Sequence, residues 1–313
     1  MKLAVVLDPL EEIKTYKDST YAMMRAANAR GHQVFVLQQG DVALREDRVI
    51  GAARALTMHD DPVAWYTVTD PAVTPLSEFD VVLMRKDPPF DMEYIYSTYL
   101  LELAEAQGAR VFNKPAGIRN YNEKLAVAKF PQFAPPTIVT RQAELLRAFV
   151  EEHTDTVLKP LDGMGGQGIF RVGKDDPNIN VIIETLTADG ARTIMGQRYI
   201  PEIVNGDKRV LIIDGEAVPY CLARVPQPGD ARGNLARGAR GLARPLTARD
   251  REIATALGPH LKRDGLLLVG LDVIGDYLTE VNVTSPTGMQ EISQQSSCDP
   301  AALMIDALER ACA

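Results

Sequence analysis

The sequence predicts an α/β unit built on a parallel sheet, followed by an α+β half. Three observations carry this reading. The first third alternates short apolar runs with amphipathic stretches, Pro131, Pro135 and Pro136 then break the pattern, and from residue 156 onward short apolar runs are separated by glycine turns. Alternating strands and helices imply parallel strands covered by helices. A chain of 313 residues fits two domains, or one large domain with subdomains. Its 46% hydrophobic content can fill a sizeable core without staples.

Taken in order, residues 3–7 read as the first strand. A helix follows over 19–30, with Asp18 or Ser19 as its N-cap and Gly31 as its stop. Residues 33–37 and 80–84 are strands, 92–107 a helix ended by Gly108, and 110–113 another strand. Pro115 and Gly117 mark the exit from this unit, and 122–129 begins a new helical segment. Beyond the prolines, strands are expected at 156–159, 168–172, 193–195, 210–213 and 217–223. A helix over 248–263, an acidic hairpin around Gly275-Asp276 and a closing helix over 300–311 complete the chain.

Composition excludes several classes. A net charge of −8 disfavours a general nucleic-acid binder. Cys221, Cys298 and Cys312 are odd in number and have no CxxC spacing, which argues against a disulfide framework and a zinc knuckle. No apolar stretch approaches the ~20 residues that span a bilayer, and the amino terminus reads as a strand, so no membrane association and a cytoplasmic location are expected. His32, His59, His153 and His260 are scattered, and no nucleophile–base pair is visible. Such a chain suits phosphoryl transfer, where catalysis is mainly positioning and charge neutralisation.

The run Leu271-Asp272-Val273-Ile274-Gly275-Asp276-Tyr277-Leu278-Thr279-Glu280-Val281-Asn282 is the most informative. Glu280 and Asn282 lie two apart in a strand and share a face. Hard oxygen donors on one face suit Mg²⁺, with phosphates completing its shell. A two-residue turn at Gly275-Asp276 would send Asp272 to the opposite face from Glu280. A metal site therefore requires an odd turn or a bulge. The plain alternative is a half-buried hairpin with polar outward residues.

Four other segments carry chemistry. Gly163, Gly165 and Gly168 spell G-x-G-x-x-G, but a strand rather than a helix follows, which rejects the dinucleotide fingerprint and suits a glycine flap closing over phosphates. Lys159 just before it adds a cation. Residues 197–201 read as a linker after the 193–195 strand, able to hold an adenine edge or to be a plain loop. The arginine-rich, glycine-rich stretch 226–241 is either a lid or an inert loop. Arg85 and Lys86 follow a strand, where α/β units bind ligands, and suit a carboxylate substrate or form a surface turn.

These pieces in this order resemble the ATP-grasp ligases and, among them, the bacterial glutathione synthetase family. The resemblance rests on Arg85-Lys86-Asp87-Pro88-Pro89-Phe90, Asn122-Glu123-Lys124-Leu125, Leu158-Lys159-Pro160-Leu161-Asp162-Gly163-Met164-Gly165-Gly166, Gly206-Asp207-Lys208-Arg209, Val218-Pro219-Tyr220-Cys221-Leu222-Ala223-Arg224, Arg232-Gly233-Asn234-Leu235 and Glu280-Val281-Asn282-Val283-Thr284-Ser285-Pro286-Thr287. It implies an ATP-grasp fold with a Rossmann-like substrate-binding domain at 1–121. The ATP-grasp domain would span 122–313, with 130–200 as the small glycine-loop subdomain and 201–313 as the metal and substrate subdomain.

The reaction implied joins γ-glutamylcysteine to glycine with ATP through an acyl phosphate. By the resemblance, Lys124, Lys159, Gly163, Met164, Gly165, Gly166, Gln197, Tyr199, Ile200 and Asp207 bind ATP. Asp272, Glu280 and Asn282 hold Mg²⁺ (or Mn²⁺). Arg209 and Lys159 are catalytic, and Arg85, Arg209, Arg224, Arg232, Asn234, Asn282, Ser285 and Thr287 bind substrate. A homo-oligomer, dimer or tetramer, is expected. The rival readings are another ATP-grasp carboxylate–amine ligase (dipeptide or glutamate), a nucleotide-binding regulator without turnover, and a dehydrogenase resting on the glycine coincidence alone.

Overall fold

A computed structural model describes residues 1–61, 63–163, 165–227 and 238–313. Its first sheet contains β1 (Lys2–Val6), β2 (Gln33–Leu37), β3 (Val42–Arg45), β4 (Arg48–Met58), β5 (Tyr66–Val68), β6 (Ala72–Pro75), β7 (Val81–Met84) and β8 (Val111–Phe112). Strands β2, β1, β7 and β8 lie side by side and parallel, as the β-α-β rhythm implied. Antiparallel β3–β6 extend the sheet beyond β2, an addition that sequence reading missed. Helix α1 (Ser19–Ala29) is capped by Asp18, whose side chain accepts the Tyr21 amide. Helices α2 (Met92–Ala106) and α3 (Pro115–Asn120) follow. The expected helical segment at 122–129 is a shorter 3₁₀ turn, Leu125–Lys129.

A second, antiparallel sheet has the order β11 (Phe170–Gly173), β10 (Asp155–Pro160), β12 (Ile194–Arg198), β9 (Thr137–Thr140). Helices α4 (Ala143–His153) and α5 (Ile179–Thr187) cover it and enclose a core of their own around Leu146, Leu158, Ile183 and Ile194. The third sheet is also antiparallel: β15 (Arg240–Pro245), β14 (Glu216–Val225), β13 (Asp207–Ile213), β16 (Leu268–Ile274), β17 (Tyr277–Asn282). Helix α6 (Ala248–Arg263) packs on β13, β14 and β16, while α7 (Met289–Gln295) contacts β14 and α8 (Pro300–Cys312) contacts β13.

The first and third sheets share apolar cores. Leu3, Val5, Met24 and Leu83 belong to one cluster with Leu211, Leu268, Ile305 and Leu308. Burying each such side chain contributes ~1.5–3 kcal/mol, so this junction is a packed interior. A polar clamp fixes its register. Asn113, 6% exposed, donates to the carbonyls of Leu268 (2.7 Å) and Val283 (2.9 Å) and accepts the Leu268 amide at 2.8 Å.

Replacing Asn113 with alanine strands buried backbone groups on both β16 and the segment after β17. At ~1–3 kcal/mol per unsatisfied buried group, Asn113→Ala should lower stability by about 3 kcal/mol, read as a drop in urea midpoint. An unchanged midpoint would mean that water replaces the side chain at no cost.

Candidate active site

The β16–β17 hairpin satisfies the metal condition through a bulge. Its turn is the two-residue Gly275-Asp276, pairing Ile274 with Tyr277 and Val273 with Leu278. The register then shifts and Asp272 pairs with Glu280, leaving Thr279 as the extra residue. The Thr279 hydroxyl donates to the Asp272 carbonyl at 3.1 Å, which anchors the bulge. Asp272 and Glu280 thus stand opposite each other on one face.

Strand pairing extends this row. Arg209 on β13 lies opposite Asp272, and Arg224 on β14 lies opposite Asp207. Arg209 Nη2 donates to Asp272 Oδ2 at 2.9 Å while its Nε reaches Oδ1, and Arg224 Nη2 contacts Asp207 and, at 2.9 Å, Asp272. Gly270 makes room for this, because a Cβ there would stand 2.7 Å from Arg209 Cδ. Glu280 Oε1 faces Lys159 Nζ at 3.3 Å and Lys124 Nζ at 3.8 Å. Lys124 also donates to the Gly163 carbonyl at 2.7 Å, tying the glycine loop to the site. Gly165, Gly166 and Gly168 all have positive φ, the backbone freedom this loop requires.

Four cations (Lys124, Lys159, Arg209, Arg224) therefore meet three carboxylates (Asp207, Asp272, Glu280). Burial opposes ionisation of Asp272, yet Arg209 and Arg224 hold its carboxyl far below the usual range. Glu280 is likewise held low against burial, by Lys124 and Lys159. Burial pushes Lys159 down, with Glu280 acting against it. Burial and the neighbouring Asp272 and Glu280 push Asp207 up to about 6, although Arg224 opposes this. Asp207 Oδ1 is buried and has no hydrogen-bond partner.

Cavities open on both sides of this row. One, of about 120 Å³, is lined by Val157, Ile169, Gln197, Tyr199, Ile200 and Ile203 together with Lys159, Asp207, Asp272 and Glu280. The other, of about 400 Å³, is lined by Arg209, Arg224, Asn282, Ser285, Thr287 and Gly165, with Glu12, Lys14, Lys17, Asp87, Glu123 and Glu291 also on its wall.

Most site residues picked from the sequence come together here, and several differ in setting. Gln197 is not in a linker: β12 continues to Arg198, and Gln197 Nε2 donates to Thr137 Oγ1 at 3.2 Å. Arg85 is turned away from the large cavity. It is 6% exposed and donates to the Thr20 hydroxyl and to the carbonyls of Thr284 and Pro286, so it props the cavity wall from behind. Lys86 is spent on Asp8 at 2.7 Å. Ser285 donates to Asp87. Met164, Arg232, Asn234 and most of the 226–241 stretch lie outside the described residues. Sequence reading missed Lys14, Lys17, Asp87, Glu123 and Glu291 as cavity residues. Only Asp87 and Glu123 sat within segments that carry the resemblance.

The donor set fits a divalent cation. Two opposed carboxylates and an amide offer hard oxygens, and the Asn282 amide nitrogen is committed to the Gly270 carbonyl at 3.2 Å, leaving its oxygen. Among the described residues no three His, Cys, Asp or Glu gather as a metal cluster, and Asp272 also carries Arg209 and Arg224; a cation on this set would take further oxygens from phosphate and water.

Comparisons with known proteins agree with this architecture. The fold matches a crystal structure of D-cycloserine synthetase DcsG (TM-score 0.70, 16% identity, 100% of each chain). It also matches the ATP-grasp ligase PsnB complexed with minimal precursor, Mg and ADP (TM-score 0.63, 16% identity, 99% and 98% of the chains). The fold is that of the ATP-grasp ligases. Family models for the prokaryotic glutathione synthetase N-terminal domain and ATP-grasp domain match residues 1–119 and 123–297. Relatives named glutathione synthetase include one from Nitrosomonas europaea, 62% identical over 99% of this chain and 98% of its own. Another, from Neisseria meningitidis serogroup A, is 54% identical over 98% of each. The chain belongs to the prokaryotic glutathione synthetase family.

The charge row predicts a pH signature. Asp207 rises from 3.8 to about 6 in the fold, so in that window the folded chain keeps a proton that the unfolded chain has lost, and stability falls as pH rises. Asp272 is depressed instead, and its stabilisation fades only as pH drops below the usual carboxylate range. The difference in unfolding free energy between Asp207→Asn and wild type, from urea titrations, should therefore shift in the variant's favour between about pH 4 and about pH 6, by on the order of 2–3 kcal/mol, then level off. A difference independent of pH would show that Asp207 ionises normally.

Proposed function

We propose that this chain is an ATP-dependent ligase that joins γ-L-glutamyl-L-cysteine to glycine, releasing glutathione, ADP and phosphate. The observation that carries the reading is one charged row with a largely apolar slot on one side and a polar, mixed-charge cavity on the other. An adenine ring suits the slot between Ile200, Tyr199 and Gln197, with Asp207 at the ribose. Two zwitterionic amino-acid substrates suit the larger cavity, whose wall carries both lysines and carboxylates.

In this mechanism Lys124 and Lys159 balance the triphosphate, and the backbone of Gly163, Gly165 and Gly166 covers it. Asp272, Glu280 and Asn282 would hold Mg²⁺ or Mn²⁺, which when bound would supply charge neutralisation for the phosphates and the incoming carboxylate. The cysteinyl carboxylate takes the γ-phosphoryl group as the bond to the ADP oxygen breaks. Glycine's amine then forms the C–N bond as phosphate departs, and the amine proton is lost. Arg209 steadies the developing charge on the carboxyl oxygens, and Arg224, Ser285 and Thr287 orient the dipeptide. Arg232 and Asn234 keep only the substrate role that the resemblance implies. Arg85 acts as a support behind the wall.

A dipeptide or glutamate ligase would share the lysines and the oxygen donors. Relatives named glutathione synthetase at 51–62% identity over nearly the full chain favour the first reading. ADP release should require γ-glutamylcysteine and glycine together. D-alanine as the preferred substrate would transfer the chain to the rival class. Glu280→Ala should lose at least a hundredfold in metal-dependent turnover with unchanged circular dichroism, and full activity in that variant would remove the metal assignment.

The same reading puts the chain in the cytoplasm, on three free cysteines suited to a reducing compartment, and no described helix is long and apolar enough to cross a membrane. It also has the chain assemble as a dimer or tetramer. Met92, Tyr96, Tyr99 and Leu103 are exposed along one face of α2, spaced as a helix–helix seam requires. Light scattering should report more than one subunit, with Tyr96→Glu/Tyr99→Glu shifting the mass downward. A monomeric wild type would end the proposal.

A further inference from the structure

The large cavity holds a carboxylate to which the mechanism above gives no task. Glu123 lines it, yet no cation among the described residues comes within ion-pair distance. Its Oε1 accepts the Thr284 hydroxyl at 2.7 Å and, more weakly, the Thr284 amide at 3.4 Å, and among the described residues no donor reaches its Oε2. Its backbone carbonyl accepts the Val281 amide at 2.7 Å, so the residue is pinned beside the very strand that carries Glu280 and Asn282. Burial pushes its carboxyl up and Glu280 adds to this, with Thr284, Lys124 and Arg209 acting against it. A half-buried carboxylate with no cation within ion-pair distance among the described residues gains from a cation brought by the ligand.

The substrates offer two such cations, the α-ammonium of the γ-glutamyl group and the ammonium of glycine. Position separates them. Glu123 lines the cavity with Arg209 and Asn282 and is bonded through its backbone to Val281, between Glu280 and Asn282, where the ligase reading has the carboxyl group react. Asp87 sits instead in the field of Asp8, Arg85 and Asp18, on the side of the first sheet. The γ-glutamyl ammonium lies the whole length of the dipeptide from the reacting carboxyl, whereas glycine's nitrogen must touch it. We propose that Glu123 binds the ammonium group of the amine substrate, glycine, and holds its nitrogen against the activated carboxyl.

This role rests on the ligase reading, and the test separates the two. Glu123→Gln keeps the shape and the acceptor for Thr284 but removes the charge. The KM for glycine should rise at least tenfold, with KM for ATP and for γ-glutamylcysteine within about twofold of wild type. Glutathione carries an uncharged amide at the same nitrogen, so its affinity by calorimetry should stay within about twofold in the variant. Glu123→Asp should recover part of the glycine affinity. A wild type that ignores glycine would sink the ligase reading and this role with it. A wild type that uses glycine beside an unchanged glycine KM in Glu123→Gln would sink this role alone. An equal loss of glycine, dipeptide and glutathione binding would make Glu123 a structural member of the wall and also refute it.

Discussion

Thr279 is a surplus residue in the last hairpin, and the pairing it disturbs decides which face of the third sheet carries charge. With an undisturbed two-residue turn, Asp272 and Glu280 would fall on opposite faces, one of them among Leu271, Val273, Leu278 and Val281 in the apolar core. The bulge restores Asp272 to Glu280's side after the turn has set the pairing of Ile274 with Tyr277. Strand register aligns Arg209 with Asp272, and Arg224 with Asp207, and the bulge adds Glu280 to that row across four strands.

That row is expensive to bury. Removing an ion from water costs several kcal/mol even after relaxation, and the mutual attraction of a buried pair often only offsets this. Arg209, Arg224 and Asp272 are each under 10% exposed, so their pairing compensates desolvation and is weak evidence of stabilisation in itself. In the proposed reaction the row would provide preorganisation, with charges fixed before phosphates and a carboxylate arrive. Asp207 exposes the tension: half-buried, it shares Arg224 with Asp272, and its Oδ1 is buried without a hydrogen-bond partner.

The parts legible in sequence were those with local signatures. The four parallel strands, α1, α2, α6 and α8 announce themselves through apolar spacing, caps and glycine stops. Strand β3 does not, since only Val42 among its four residues is buried, and an edge strand with so little apolar content resembles a loop. Helices α4 and α5 lack the glycine stop that marks α1 and α2, their C-caps being Thr154 and Ala188. At the site, the hairpin and lysines were visible because ligand spacing on one strand is a local pattern. Arg85 was misjudged for the opposite reason: its acceptors at Thr284 and Pro286 are about two hundred residues away, and nothing near it in sequence shows that its donors are spent. Lys14, Lys17 and Glu291 reach the cavity from a loop and from α7, with no spacing rule linking them to it.

Arg85 and Asn113 together explain why the first sheet belongs to the chemistry. Both are buried polar side chains near the carboxyl ends of parallel strands, where α/β units place their ligands. Neither contacts an acidic group within ion-pair distance among the described residues; both satisfy backbone carbonyls of the third sheet and of the segment leaving it. The path from Val283 to Pro286 is therefore fixed from the side of the first sheet, and Glu123 meets it at Thr284 from the other. Glu280 and Glu123 consequently sit on neighbouring backbone with the same chemistry and unlike surroundings. Among the described residues, one faces two lysines at 3.3 and 3.8 Å, whereas the other accepts a hydroxyl and an amide with no cation within ion-pair distance. It is that difference in company, rather than residue type, that suits the first to a polyphosphate site and leaves the second able to receive a cation from a ligand.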